Sequence, residues 1–261
     1  SAASDVYKRQ VYVGSGELPN DFCDMVFAGS NGTLQVLPID LKVGGYSHNY
    51  LLPQVVDGLK SLVSHARCQQ MALSPACGKH SALRWLKSPD GKPMPPPLFS
   101  ADEPDGISAL FGKHAGERDE ALAVTTNLIS VCAVALTNKK GLWWENPVGR
   151  GREYAPWAIV GQENHSPVWG MTVMKNFIAD FGLTFLYCDL GAAGGSSPKA
   201  TAWLCSPDLR PHLEKEIGTL PLAAVTGKSL VGRSDTGEFA SRESARSVSY
   251  THLRAHETQL H

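Results

Sequence analysis

No uninterrupted apolar run in this 261-residue chain reaches the ~18 residues of a membrane-spanning helix, so a span is not expected. An excess of one charge is missing too, with 24 Lys and Arg against 25 Asp and Glu. The chain therefore lacks the broad basic footprint of a nucleic-acid coat, although a local patch or a separate recognition domain can still hold DNA. The six cysteines, at 23, 68, 77, 132, 188 and 205, form no CxxC pair and keep no regular spacing with histidine. That pattern argues against a zinc site or a disulfide framework and for an intracellular setting, nuclear or cytoplasmic rather than secreted. His48, His65, His114, His165 and His212 lack ligand spacing, and no metal is assigned to them. There is no internal repeat.

The two ends differ from the interior and are related to each other. Asp5 to Gln10 back-translates as GAT-GTG-TAT-AAG-AGA-CAG; its reverse complement, in a shifted frame, gives Val248-Ser249-Tyr250-Thr251-His252 and opens Leu253. This inverted repeat resembles the transposase ends attached to DNA fragments for short-read sequencing. Residues 1–10 and 247–261 are therefore set aside as translated adaptor, which also removes any leader from consideration. The insert, residues 11–246, keeps 21 basic and 23 acidic side chains. Its length suits one α/β domain, expected over 11–218, with 219–246 left as an unassigned, truncated continuation.

Along the insert, short β-type runs alternate with helical patterns, the signature of a mostly parallel sheet covered on both faces. Strands are expected at 11–13, 34–40, 70–74 and 141–147, and helices over 22–29, 51–66, 118–138 and 168–181. "LTFLYCDL" and "KATAWLCS", joined by "GAAGGSSP", read as an antiparallel hairpin closing the sheet edge, and "PDLRPHLEKEIG" as a short last helix. Residues 86–113 are too rich in proline and glycine for regular structure, and a loop of that length is usually functional or disordered. Trp85, Trp157, Trp169 and Trp203 read as packing residues rather than a base-stacking platform, because no basic residues interleave with them.

Three stretches carry chemistry. "YVGSGELPND" sets Gly14, Ser15 and Gly16 directly after a strand, where glycines let the backbone approach a ligand. Asp40 closes the next strand, where a carboxylate can accept ribose hydroxyls; an adenosine-containing cofactor and a helix-capping role both fit. The third glycine of the dinucleotide pattern is missing, which favours a cofactor without a diphosphate. "SPACGKHS" and "WWENP" each follow a parallel strand. Cys77 is either a small buried turn residue or a nucleophile. As a nucleophile it needs a lowered pKa, for which Lys79, His80 and Arg84 are the local candidates. A thiolate with a proton-donating carboxyl is the minimum for addition to an electron-poor heteroaromatic ring, and Glu145, beside Trp143 and Trp144, is the carboxyl.

The order GxG, strand-end Asp, P-x-C-x-x-x-S and E-N-P resembles the S-adenosylmethionine-dependent DNA cytosine-5 methyltransferases, especially divergent members in mobile-element polyproteins. It extends over about Val11 to Cys205. The resemblance implies a Rossmann-like class I methyltransferase fold, a mostly parallel sheet with a C-terminal antiparallel hairpin. It implies S-adenosylmethionine as cofactor, held by Gly14, Ser15, Gly16, Asp40 and Pro75. It implies Cys77, Glu145 and Asn146 as catalytic residues, with Ser81, Arg84, Lys199 and Thr201 against a flipped-out base. DNA is the implied partner, through a recognition region that the insert does not complete. Ala76 stands where the family has proline before its nucleophile, and "KATAW" where it has Gln-x-Arg-x-Arg. Two alternatives remain: a catalytically inactive, binding or scaffolding module of a retroelement polyprotein, and a Cys-dependent hydrolase or acyltransferase.

Overall fold

The computed structural model describes residues 8–13, 34–40, 44–85, 94–154, 157–189 and 199–217. The glycine turn at 14–17 and the helix expected over 22–29 lie outside the described residues. In chain order the elements are β1 (Lys8–Val13), β2 (Leu34–Ile39), α1 (Pro53–Ser64), β3 (Cys68–Leu73), α2 (Gly112–Thr137), β4 (Gly141–Pro147), α3 (Thr172–Phe181), β5 (Thr184–Asp189), β6 (Ala200–Cys205) and α4 (Arg210–Ile217). They build a mixed α/β structure around a six-stranded sheet of order β2-β1-β3-β4-β6-β5. β2, β1, β3 and β4 run parallel, and β6 is antiparallel to both β4 and β5.

Local chemistry accounts for the element ends. Pro53 opens α1 at a position where its missing N–H has no helical partner to lose. Gly182, at φ 60°, ends α3 in the left-handed conformation that a residue without Cβ adopts most cheaply. The helix expected to start at 168 is a 3-10 turn over Val168–Gly170, and α3 begins only after the extended Met171.

Three elements differ from expectation in informative ways. β1 begins at Lys8, inside the segment set aside as adaptor; strand pairing uses backbone groups that every residue but proline carries, so this extension does not depend on side-chain identity. α2 starts at Gly112 rather than 118, because its polar first turns lack apolar periodicity but are tied down by ion pairs described below. The hairpin's second strand lies inside the sheet, with β5 at the edge. β6 is buried along its whole length: Ala200, Ala202 and Leu204 face one core, Trp203 and Cys205 the other, as a strand covered on both sides requires.

The larger core packs α1, α2 and α3 on one face through Leu59, Val63, Leu128, Cys132, Met174 and Phe177. The other face carries Ala72, Trp143, Leu186, Cys188 and Trp203, with Leu209, just ahead of α4, and Leu213 of α4 against them. α2 is long and apolar enough to cross a membrane by length and composition, although Thr125, Thr126, Asn127 and Ser130 keep it from being an uninterrupted apolar run. Its Leu128, Val131, Cys132 and Ala135 are nonetheless buried in this core. The proline-rich loop is packed where it is described: Leu98, Phe99 and Ser100 are buried, and Ser100 bridges to His165.

Candidate functional site

Chain order in the sheet decides what meets at its carboxyl edge. From β1 the chain passes to β2 on one side, and the next strand, β3, takes the other side, so the order reverses between β1 and β3. Loops leaving such a switch point diverge and open a crevice, the usual ligand position in an open α/β sheet. β1, β2 and β3 end level, with Val13 opposite both Ile39 and Leu73. Gly14, Ser15 and Gly16 follow Val13 and lie outside the described residues. Asp40 follows Ile39; its main-chain N–H donates to His48 Nδ1 at 3.2 Å and its carbonyl accepts from the Gly44 N–H at 2.8 Å.

One strand further on, Leu73 of β3 lies beside Trp144 of β4. The residues that follow, Ser74-Pro75-Ala76-Cys77 and Glu145-Asn146, are therefore neighbours despite the 68 residues between Cys77 and Glu145. Ser74 Oγ donates to Glu145 Oε2 at 2.5 Å. Asn146 Nδ2 donates to its neighbour's carbonyl, Glu145 O, at 3.1 Å and, at a long 3.4 Å, to Pro75 O. Trp169 Nε1 donates to Pro147 O at 3.1 Å and fixes the end of β4.

β6 adds the third side. Glu145 pairs with Trp203 and Pro147 with Thr201 across the β4–β6 ladder, which brings Lys199, just ahead of β6, over the carboxylate. Lys199 Nζ lies 3.2 Å from Glu145 Oε1, and the two side chains are 16% and 4% exposed. An ammonium and a hydroxyl donor are the partners an ionised carboxylate takes. Lys199 is desolvated, which alone would lower its pKa, but the Glu145 charge, helped by its hydrogen bond and by the sulfurs of Cys77 and Cys188 when they ionise, outweighs burial and raises it. Thr201 donates its hydroxyl back to Lys199 O at 3.0 Å, and Asp189 Oδ1 accepts the Lys199 N–H at 3.1 Å.

Cys77 is partly buried and caps a 3-10 turn over Gly78–His80. Burial raises its pKa; the Lys199 charge opposes that rise and the Glu145 charge adds to it. The cation acting on the thiol is thus Lys199. The three cations expected from sequence are engaged elsewhere. Lys79 pairs with Glu120 at 2.6 Å. His80 stacks on Phe99 with ring centroids 4.3 Å apart, and burial lowers its pKa to about 3, so it carries no charge at neutral pH. Arg84 gives its guanidinium to Glu117 Oε2 at 3.1 Å, Gly78 O at 3.2 Å and Pro96 O at 3.0 Å, and so clamps the loop. Ser81 Oγ accepts the Leu83 N–H at 3.2 Å, a local cap on the next turn.

Two further residues, whose part in the site the sequence does not signal directly, support it. Ser74 sits in the quoted motif, and its place two residues after the apolar Ala72 is the signal that turns it to the same face as Glu145. Buried His165 accepts the Arg150 N–H on Nδ1 at 3.0 Å, so Nε2 carries the proton and donates to His80 O at 3.0 Å. It ties the loop after β4 to the cysteine loop. Among the described residues no group of three or more His, Cys, Asp or Glu is placed to hold a metal. No protein-family model matches the chain, and no curated protein or solved structure shows similarity to it.

Proposed function

We propose that this chain transfers a methyl group from S-adenosylmethionine to C5 of cytosine in DNA through a Cys77 adduct. The observation that carries the reading is the meeting of Cys77, Glu145 and Lys199 at the ends of β3, β4 and β6, beside the switch point between β1 and β3. Support for a Rossmann-like methyltransferase fold comes from four parallel strands followed by a single antiparallel hairpin, where the dinucleotide order has parallel strands throughout.

Cys77 Sγ adds to C6 of a cytosine turned out of its helix, and ring nitrogen N3 takes up a proton as the sulfur–carbon bond forms. The thiol proton leaves sulfur and reaches N3 through Glu145, whose carboxylate accepts and then donates it. S-adenosylmethionine, when bound, would supply the methyl group, its methyl–sulfonium bond breaking as the bond to C5 forms and S-adenosylhomocysteine leaving. With the methyl group on C5, the C5 proton passes to water, the bond between C6 and Cys77 Sγ breaks to release the thiolate, and N3 returns its proton through Glu145 to the sulfur. Asp40, which follows Ile39 level with the end of β1, would receive the ribose hydroxyls of S-adenosylmethionine. Asn146 and Ser74 hold the carboxylate and the cysteine loop in register.

A Cys–His hydrolase draws less support, because both histidines near the loop are committed to packing and to a main-chain carbonyl. The test is transfer of labelled methyl to duplex DNA and covalent trapping on a 5-fluorocytosine duplex. Both are expected for the native chain and neither for Cys77→Ser. A chain that binds the cofactor yet gives neither signal supports the inactive module, and trapping that survives Cys77→Ser refutes the adduct.

A further inference from the structure

Glu145 is both the acid that a cytosine needs and a negative charge beside the sulfur that must become negative. Two adjacent anions in a desolvated site oppose each other, so the site needs a cation that serves both. We propose that Lys199 is the positioning residue that makes Cys77 a nucleophile: its ammonium, ion-paired with Glu145 at the β4–β6 edge, is the counter-charge on which the Cys77 thiolate forms.

The geometry behind this is specific. Lys199 Nζ lies 3.2 Å from Glu145 Oε1, and its side chain is 16% exposed, so the ammonium is held inside rather than extended into solvent. The Lys199 backbone is fixed on both sides, by Asp189 through its N–H and by Thr201 through its carbonyl. Among the described residues, the other groups around the cysteine have different engagements. On its own loop, Lys79 is bound to Glu120, Arg84 to Glu117, and His80 is neutral. From β5, Cys188 and Asp189 face the lysine; the Cys188 thiol is pushed up to about 11 by burial and stays protonated. When Cys77 loses its proton to Glu145, the lysine pairs with the new thiolate while the carboxylic acid turns to the base, and the net charge of the three groups is unchanged.

The inference rests on the proposed chemistry, but its test needs neither cofactor nor DNA. Alkylation of Cys77 by iodoacetamide, followed by peptide mass spectrometry across pH 6 to 10, reads thiolate formation directly. Lys199→Met is expected to move the alkylation profile to higher pH and slow the reaction at pH 8 by about tenfold or more. Lys199→Arg restores most of the rate, and Glu145→Gln accelerates alkylation by removing the opposing anion. The double variant Lys199→Met/Glu145→Gln carries no unpaired buried charge and so guards against misfolding of the single one; it stays slower than Glu145→Gln alone. Coincident profiles for the native chain and Lys199→Met, or for the double variant and Glu145→Gln, overturn the assignment. A chain that alkylates as expected but transfers no methyl group keeps the lysine's role and loses the methyltransferase reading.

Discussion

Ser74 has one task in this structure, the 2.5 Å hydrogen bond to Glu145, and that makes its removal easy to read. A buried carboxylate that loses a hydroxyl donor loses about 1.5–3 kcal/mol. Ser74→Ala is expected to lower stability by about 2 kcal/mol, seen as a fall in the urea midpoint without a change in slope, while Ser74→Thr keeps the donor and most of the stability. The two buried histidines tie stability to pH. His80, with a folded-state pKa of about 3 against an ordinary 6.5, is depressed by burial first and by His165, Arg84 and Lys79 after it; His165 is depressed by burial as well. Below pH 6.5 the unfolded chain takes up protons that the folded chain refuses, so stability is complete above 6.5 and falls as pH drops toward 3. The loss is up to about 1.4 kcal/mol per pH unit for each such group. Urea melts between pH 6.5 and 4.5 are expected to show this slope, and His80→Leu to flatten it; an unchanged slope would mean that His80 is free to titrate.

At the scale of elements, the cysteine loop is held against the start of α2 by two ion pairs, Lys79–Glu120 and Arg84–Glu117. The first is partly exposed and contributes little. The second is accompanied by two hydrogen bonds to the carbonyls of Gly78 and Pro96, so Arg84 joins the turn after Cys77, the proline-rich loop and α2. Arg84→Ala is expected to cost about 2–3 kcal/mol and to speed amide hydrogen exchange at His80 and Arg84, whose N–H groups close the 3-10 turns, while exchange in β3 stays slow. Uniform acceleration across both regions would show global destabilisation instead. The loop after β4 has its own fixed point at Gly151, where a Cβ would stand 2.7 Å from the His165 carbonyl and 3.1 Å from that of Glu163. Backbone atoms cannot swing aside as a side-chain tip can. Gly151→Ala is therefore expected to cost about 1–3 kcal/mol and to displace His165 from its bond to the cysteine loop, measured as a lower melting temperature together with faster Cys77 alkylation by a neutral reagent.

Across the whole molecule, what repeats along the chain was readable and what depends on which strand lies beside which was not. β4 falls on the seven residues "GLWWENP" expected as a strand, and α1, β5 and β6 lie within the expected stretches. The side-by-side placing of Cys77 and Glu145 rests on the adjacency of β3 and β4, a long-range pairing that spacing in sequence does not express. Lys199 was visible only as a polar residue near a hairpin, because its meaning arises from β6 entering the sheet antiparallel beside β4. Lys79, His80 and Arg84 show the matching point: they are near the cysteine in sequence, but α2 and Phe99 engage them.

α2 concentrates the whole-molecule question, since its composition suits a membrane and its position suits a core. Leu128, 1% exposed, is in the core cluster shared by α1, β3, β4 and α3, so truncating it opens a cavity inside that core. Leu128→Ala is expected to cost about 2–5 kcal/mol, a large share of the ~5–15 kcal/mol that holds a typical domain. Because one core serves both helices and sheet, far-ultraviolet dichroism and the fluorescence of buried Trp144 should shift together in urea. A span that left this core for lipid would expose Val131, Cys132 and Ala135, all fully buried, and would strip the covering from β3 and β4. Phosphatidylcholine vesicles should then leave the unfolding midpoint of the native chain unchanged and bind none of it. Binding to vesicles with Leu128→Ala unfolding at the native midpoint would place α2 outside the core.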